Sequence, residues 1–197
     1  MTDNPTSDSL LIKISKVISN FFNPIVSLII YYIVLTYTPH ASNLDVTNFF
    51  PILFILVIPV VVWIVWNVKK GHYTNMDVSN RKQRNSLYIV IVILCAIYLA
   101  YEFFRNGNKD TTVFFLLILL ILMQISNFFI KSSMHTSLNL FVAFLFLKFS
   151  LPWGIFWIIL SIIIGITRII LKRHTLAEVI SGAVLGSLVG LAYYFVI

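Results

Sequence analysis

Long apolar blocks fill this chain, and short polar islands separate them. Residues 1–9 form a polar tail. Leu10 to Phe22 follows a helical period, with Lys13 and Lys16 on a face apart from Leu10, Ile14 and Phe21. That is the pattern of an amphipathic helix lying in a membrane interface. Asn23-Pro24 opens a first apolar run over 25–38. Further runs cover 50–68, 87–104, 112–130, 136–149, 153–168 and 174–196. Several approach the roughly 20 residues that a bilayer crossing needs. The expectation is an all-α fold, a polytopic transmembrane helical bundle of about six to seven membrane helices plus the N-terminal interfacial helix. It forms one domain over 1–197, with the membrane bundle over 25–196. Gly182, Gly186 and Gly190 recur every four residues in the last run, which lets helices approach closely, so this run is expected to face the bundle interior. Trp153 and Tyr193, near run ends, fit aromatic belts.

Composition excludes an ordinary soluble domain. Apolar residues make up 59% and charged residues 11%, and the mean hydropathy is +0.96. Cys95 is alone inside an apolar run, which rules out a disulfide framework and reads as packing. The net charge of +7 would suit nucleic acid, but the cations stand at the ends of apolar runs. That placement fits anionic headgroups or a phosphorylated substrate. The expected partners are the bilayer and a membrane lipid phosphate, with no nucleic acid, and the expected location is the inner membrane of a bacterium.

Two islands carry candidate chemistry. One is Lys131-Ser132-Ser133-Met134-His135-Thr136; the other runs from Thr167-Arg168 through Lys172-Arg173-His174 to Glu178. Ionisable groups beside hydrocarbon are costly unless they serve something. His174 and Glu178 are four apart, so a helix starting near His174 stacks them on one face. A carboxylate that accepts the Nδ1 proton leaves Nε2 free to attack phosphorus, and His135 is then the acid that protonates the leaving group. Arg168, Arg81 and Arg84 suit bidentate phosphate capture, Lys131 adds a point charge, and Ser133 a hydroxyl. Helix starts near Ser133 and His174 supply free amides. No cluster has metal-ligand spacing, so neither metal nor cofactor is expected. Runs three and four form one hairpin and runs five and six another, so the islands and the Arg81/Arg84 loop return to the same membrane face.

Ser133-Met134-His135, with Arg168-x5-His174-x3-Glu178, resembles the type 2 phosphatidic acid phosphatase superfamily of membrane lipid phosphatases. Its signature runs Lys-x6-Arg-Pro, Pro-Ser-Gly-His, then Ser-Arg-x5-His-x3-Asp. The third part matches in spacing, with Thr167 for Ser and Glu178 for Asp. The second keeps Ser133 and His135 but has Ser132 for Pro and Met134 for Gly. No Lys-x6-Arg exists here; Arg81 and Arg84 stand nearest that role, with Lys131 in place of the lysine. The resemblance covers residues 69–190. It implies a His174 nucleophile, a His135 acid, phosphate contacts from Arg168 and Ser133, and no metal requirement.

Plainer readings stand beside these. Arg168, Lys172, Arg173, Lys69, Lys70 and Lys82 also suit headgroup anchors, and His135 an interfacial cap. Asp77 either braces Arg81 or Arg84 or is solvated, and His40 and His72 read as loop surface. Three function classes remain: a lipid phosphate phosphatase, a lipid phosphotransferase using the same intermediate, and a transport or structural bundle without chemistry. Eleven of the 14 basic residues fall on the side of the N-terminus, which points the site to the cytoplasm.

Overall fold

Asn23 and Pro24 make the first break in the structure, a computed structural model that describes residues 5–37, 49–107 and 110–196. The Asn23 side-chain oxygen accepts the N–H groups of Ile25 and Val26, each at 3.1 Å, and Pro24 occupies the first helical position, where no N–H is needed. Helices α1 (Pro5–Phe21) and α2 (Pro24–Thr36) bend by 55° at this point. Next come α3 (Phe49–Lys69), α4 (Arg81–Asn106), α5 (Thr111–Ser126), α6 (Met134–Leu147), α7 (Leu151–Ile170) and α8 (Leu176–Val196). Helix α3 widens into π-type turns over Ile52–Val57, just before Pro59 removes a ladder donor. Side chains of Asn80, Asp110 and Ser133 cap α4, α5 and α6 by accepting the N–H of Lys82, Val113 and Thr136. The fold is all-α, and no strand occurs among the described residues.

Among the described residues four helices are long and apolar enough to cross a bilayer: α3, α4, α7 and α8. A fifth span exists if the bent α1–α2 pair is counted as one. The other two expected crossings, α5 and α6, are apolar helices of 16 and 14 residues. At about 1.5 Å per residue each is shorter than a hydrocarbon core of about 30 Å. The chain is an integral membrane protein by these helices. Helix α1 starts at Pro5, ahead of the predicted Leu10, and the remaining tail residues 1–4 lie outside the described residues, as do His40 and Asp45. Helix α4 starts at Arg81, ahead of the apolar run that opens at 87, because Asn80 supplies the cap and the polar first turn continues the helix.

Two compact units are present, Met1–Tyr31 with Ser132–Ile197, and Tyr32–Lys131. In the first, α6 is innermost: ten of its 14 residues are buried, from His135 to Phe146. Helix α8 lays Gly182, Gly186 and Gly190 against α6, where added Cβ atoms would lie 2.6 Å from the Ser133 carbonyl oxygen, 2.2 Å from that of Ser137 and 2.4 Å from the Phe144 ring. The glycine stripe therefore marks a contact with α6, while Ile180, Val184 and Leu188 on α8 face outward. On α7, Ile155, Ile159, Ile162 and Ile166 also face outward, surface that only lipid or protein covers without cost.

One expectation about this unit changes. Tyr193 is buried with its ring 6.2 Å from Phe141, so it packs inside and is no belt residue. Helix α1 is amphipathic in the opposite sense to a soluble helix. Ser15 and Ser19 are buried, whereas Leu10, Ile14, Val17 and Phe21 are exposed. In the second unit α4 packs against α5 and against the π-type stretch of α3.

Candidate functional site

The end of α7 decides where His174 stands. Lys172 adopts φ 52, the left-handed conformation usually given to glycine. Around it the Lys172 N–H donates to the Ile169 carbonyl at 2.9 Å, and the Arg173 N–H to the Arg168 carbonyl at 3.0 Å. These are the two bonds of a Schellman turn. It reverses the chain so that the His174 N–H also donates to the Arg168 carbonyl, at 3.2 Å. The five residues between Arg168 and His174 are what this turn requires.

Helix α8 then starts with a reciprocal cap. The Glu178 N–H donates to Thr175 Oγ1 at 3.3 Å, and the Thr175 N–H to Glu178 Oε2 at 3.1 Å. This capping box satisfies two free amides of the first turn. The same Oε2 lies 2.8 Å from His174 Nδ1. Glu178 thus both caps the helix and holds the imidazole, and a carboxylate accepting at Nδ1 fixes the tautomer with the lone pair on Nε2.

Helix α6 joins from the other side. The Ser133 N–H donates to the Glu178 carbonyl at 2.9 Å. Its hydroxyl oxygen accepts the Thr136 N–H at 3.4 Å and the Thr136 hydroxyl at 3.0 Å. Ser132 pairs with Ser181 of α8 at 2.7 Å between hydroxyl oxygens. His135 follows in the first turn of α6, buried like Ser133, Arg168 and His174. Ser133, Arg168, His174 and Glu178 are therefore tied together by backbone and side-chain hydrogen bonds within one unit. Chemically, this is a carboxylate-oriented imidazole whose backbone N–H bonds the carbonyl of a buried arginine, at the start of α8, with the start of α6 bonded to Glu178.

Arg81, Arg84 and Lys131 belong to the other unit, where both arginines have structural tasks. Arg81 Nε donates to the Asn127 carbonyl at 2.6 Å, and Asn127 Nδ2 returns a bond to the Arg81 carbonyl at 3.2 Å. Arg84 is buried, and its Nε donates to the Val78 carbonyl at 3.2 Å. The polar insertion before α4 is built, not loose: Tyr73 is buried, accepts from Trp63 Nε1 at 3.0 Å and pairs with Ser86 at 2.8 Å. Asp77 is half-buried and Lys131 half-buried, while His72 is exposed with Nδ1 3.3 Å from Asn67. Among the described residues no three His, Cys, Asp or Glu side chains group as metal ligands.

Two features escape the sequence patterns. Ser19 of α1 accepts from Arg168 Nη1 at 2.9 Å. Asn139 of α6 donates to the carbonyls of Phe22 and His135, at 3.1 and 2.8 Å. It accepts from the Ser27 hydroxyl at 2.8 Å and Trp157 Nε1 at 3.3 Å. Asn139 stands one turn after His135, which is the signal that could have marked it.

Compared with family models, curated proteins and solved structures, the chain matches none of them.

Proposed function

We propose that this protein is a lipid phosphate phosphatase working through a phosphohistidine. The observation that carries the proposal is the 2.8 Å contact between Glu178 Oε2 and His174 Nδ1, made one Schellman turn away from Arg168. A capping box alone needs no histidine, so the His174 contact is surplus to helix stability. The resemblance in the spacing of Arg168, His174 and Glu178 to membrane lipid phosphatases points the same way.

In the first step His174 Nε2 forms a bond to phosphorus and the ester P–O bond breaks. Protonated His135 gives its proton to the departing alkoxide. In the second, water attacks the phosphohistidine, the P–N bond breaks, and His135 takes the water proton. Arg168 and the amides at the start of α6 hold the phosphoryl oxygens. Substrates are lipids carrying a phosphate monoester or diphosphate, with phosphatidate, phosphatidylglycerol phosphate and polyprenyl (di)phosphate as the panel. Arg81, Arg84 and Lys131, the other expected phosphate ligands, lie in the second unit, where both arginines carry the structural bonds described above. The cations supply the charge stabilisation a metal would give, so turnover is expected to survive a chelator.

Release of inorganic phosphate from that panel by purified protein tests the proposal, with vanadate as inhibitor. Strict dependence on magnesium, or wild-type turnover by His174→Ala, would overturn it. Transfer of the phosphate to a lipid acceptor instead of water would make the protein a phosphotransferase with the same intermediate.

A further inference from the structure

The N-terminal helix touches the phosphate-binding arginine. Arg168 is 2% exposed and Ser19 1% exposed, and the bond from Arg168 Nη1 to Ser19 Oγ is 2.9 Å. A guanidinium buried to that degree keeps a fixed orientation only if its donors are met. Ser19 meets one of them from an element 149 residues away in sequence.

The placement of Ser19 is itself fixed. One turn later the chain reaches the α1–α2 elbow, where the Phe22 carbonyl accepts from Asn139 at 3.1 Å and the Phe22 ring lies 6.2 Å edge-on to Trp157. Ser27, just past the elbow, bonds the same Asn139. Asn139 is one turn after His135 and bonds its carbonyl at 2.8 Å. The elbow therefore registers α1 against α6 and α7, and the serine face of α1, Ser15 and Ser19, turns inward while its apolar face turns out.

We infer that Ser19 is a positioning residue for Arg168, and that α1 is a working part of the phosphate site and not only a membrane anchor. The inference rests on the proposed phosphatase function and adds to it a residue outside the two islands and the Arg81/Arg84 loop. A hydrogen bond to a charged group carries enough energy for loss of the hydroxyl to weaken phosphate capture by about tenfold. The loss falls on KM and on vanadate inhibition, because the His174 and His135 chemistry is untouched.

The test uses the full chain in detergent with the lipid phosphate panel, measuring KM, kcat and vanadate inhibition. Ser19→Ala is expected to raise KM and weaken vanadate inhibition in parallel, with kcat changed far less. Adding Ser19→Ala to Arg168→Lys is expected to cost little more than Arg168→Lys alone. Ser15→Ala, one turn away on the same seam, controls for loosened packing and is expected to leave KM near wild type. Wild-type KM in Ser19→Ala, or equal effects of Ser15→Ala and Ser19→Ala, overturns the positioning role while leaving the phosphatase standing. Arg168→Lys and His174→Ala both active as wild type, or a wild-type chain that neither turns over the panel nor binds vanadate, overturns the function and this inference with it.

Discussion

The His174 N–H donates to the carbonyl of Arg168 at 3.2 Å, so the two residues share a backbone bond as well as a neighbourhood. Lys172 makes this possible by taking φ 52 between them. A side chain in the left-handed region costs about 1–2 kcal/mol, against the entropy that glycine would lose on folding. Lys172→Gly is therefore expected to stabilise the protein by up to about 1 kcal/mol and to leave activity unchanged. Thermal unfolding in detergent measures it. A clear loss of stability would mean that the Lys172 side chain contributes more than the turn costs.

Glu178 has two tasks, and two substitutions separate them. Thr175→Ala removes its half of the capping box and is expected to cost about 1 kcal/mol of stability with activity retained. Glu178→Gln keeps an oxygen for the Thr175 N–H but loses the charge that holds the His174 proton. It is expected to stay folded and to lose about a hundredfold or more in turnover. Equal activity in the two variants would reduce Glu178 to a cap.

The helical fold and part of the site were legible in the sequence, each for a local reason. Spacing of four put His174 over Glu178, and the polar island before an apolar run marked a helix start near Ser133. The glycine stripe announced a close helix contact but not its partner, since the innermost helix is α6. Arg81 and Arg84 read as phosphate ligands because a loop arginine advertises charge, while their bonds to the Asn127 and Val78 carbonyls depend on chain reversals that no local pattern encodes. Ser19 and Asn139 were hidden for a different reason. In a membrane protein the outside is apolar, so an inward polar residue in an apolar run looks like an interruption.

Close packing of α8 on α6 sets the position of Ser133. A Cβ at Gly186 would lie 2.2 Å from the Ser137 carbonyl oxygen, backbone against backbone, where no rotamer can give way. Gly186→Ala is expected to destabilise by about 1–3 kcal/mol or more. Gly182→Ala presses on the Ser133 carbonyl at 2.6 Å and is expected to lower activity beyond its effect on stability. Comparing turnover per folded molecule in the two variants checks this, and an equal, stability-only effect would detach Ser133 from the site.

The turn before α5 carries a pH dependence of its own. Burial holds the Asp110 carboxyl above the usual carboxylate range, with Glu102 adding to the rise against the opposing N–H of Val113 and the hydroxyl of Tyr98. A raised folded value means that the folded state binds the proton more readily. Its contribution to stability is full below the ordinary value of about 4 and is lost as pH rises through the raised one. Asp110→Asn keeps a capping oxygen for Val113 and removes the titration. The wild type is expected to gain stability relative to Asp110→Asn as pH falls from neutral towards about 4. A constant difference in unfolding temperature across that range would exclude the effect.

The side of the membrane can be read from two loops joined by a single helix. Counted with each apolar run of the sequence as one crossing and α1 lying flat, eleven basic residues go to the N-terminal side, among them Lys13, Lys16, Lys69, Lys70, Lys82, Lys172 and Arg173, and Arg105, Lys109 and Lys148 to the other. Without the candidate phosphate ligands Arg81, Arg84, Lys131 and Arg168 the counts are seven against three, of the same sign. With that count, the positive-inside rule predicts a cytoplasmic site. Helix α4 separates Asn75, in the loop before it, from Arg105 in its last turn. Cys95, the native thiol, is buried in α4 and is removed as Cys95→Ser. In that background Arg105→Cys is expected to react with a membrane-impermeant reagent in intact cells, and Asn75→Cys only after permeabilisation. Labelling of Asn75→Cys in intact cells with Arg105→Cys protected reverses the orientation and places the site outside, where it would draw on lipid of the outer leaflet.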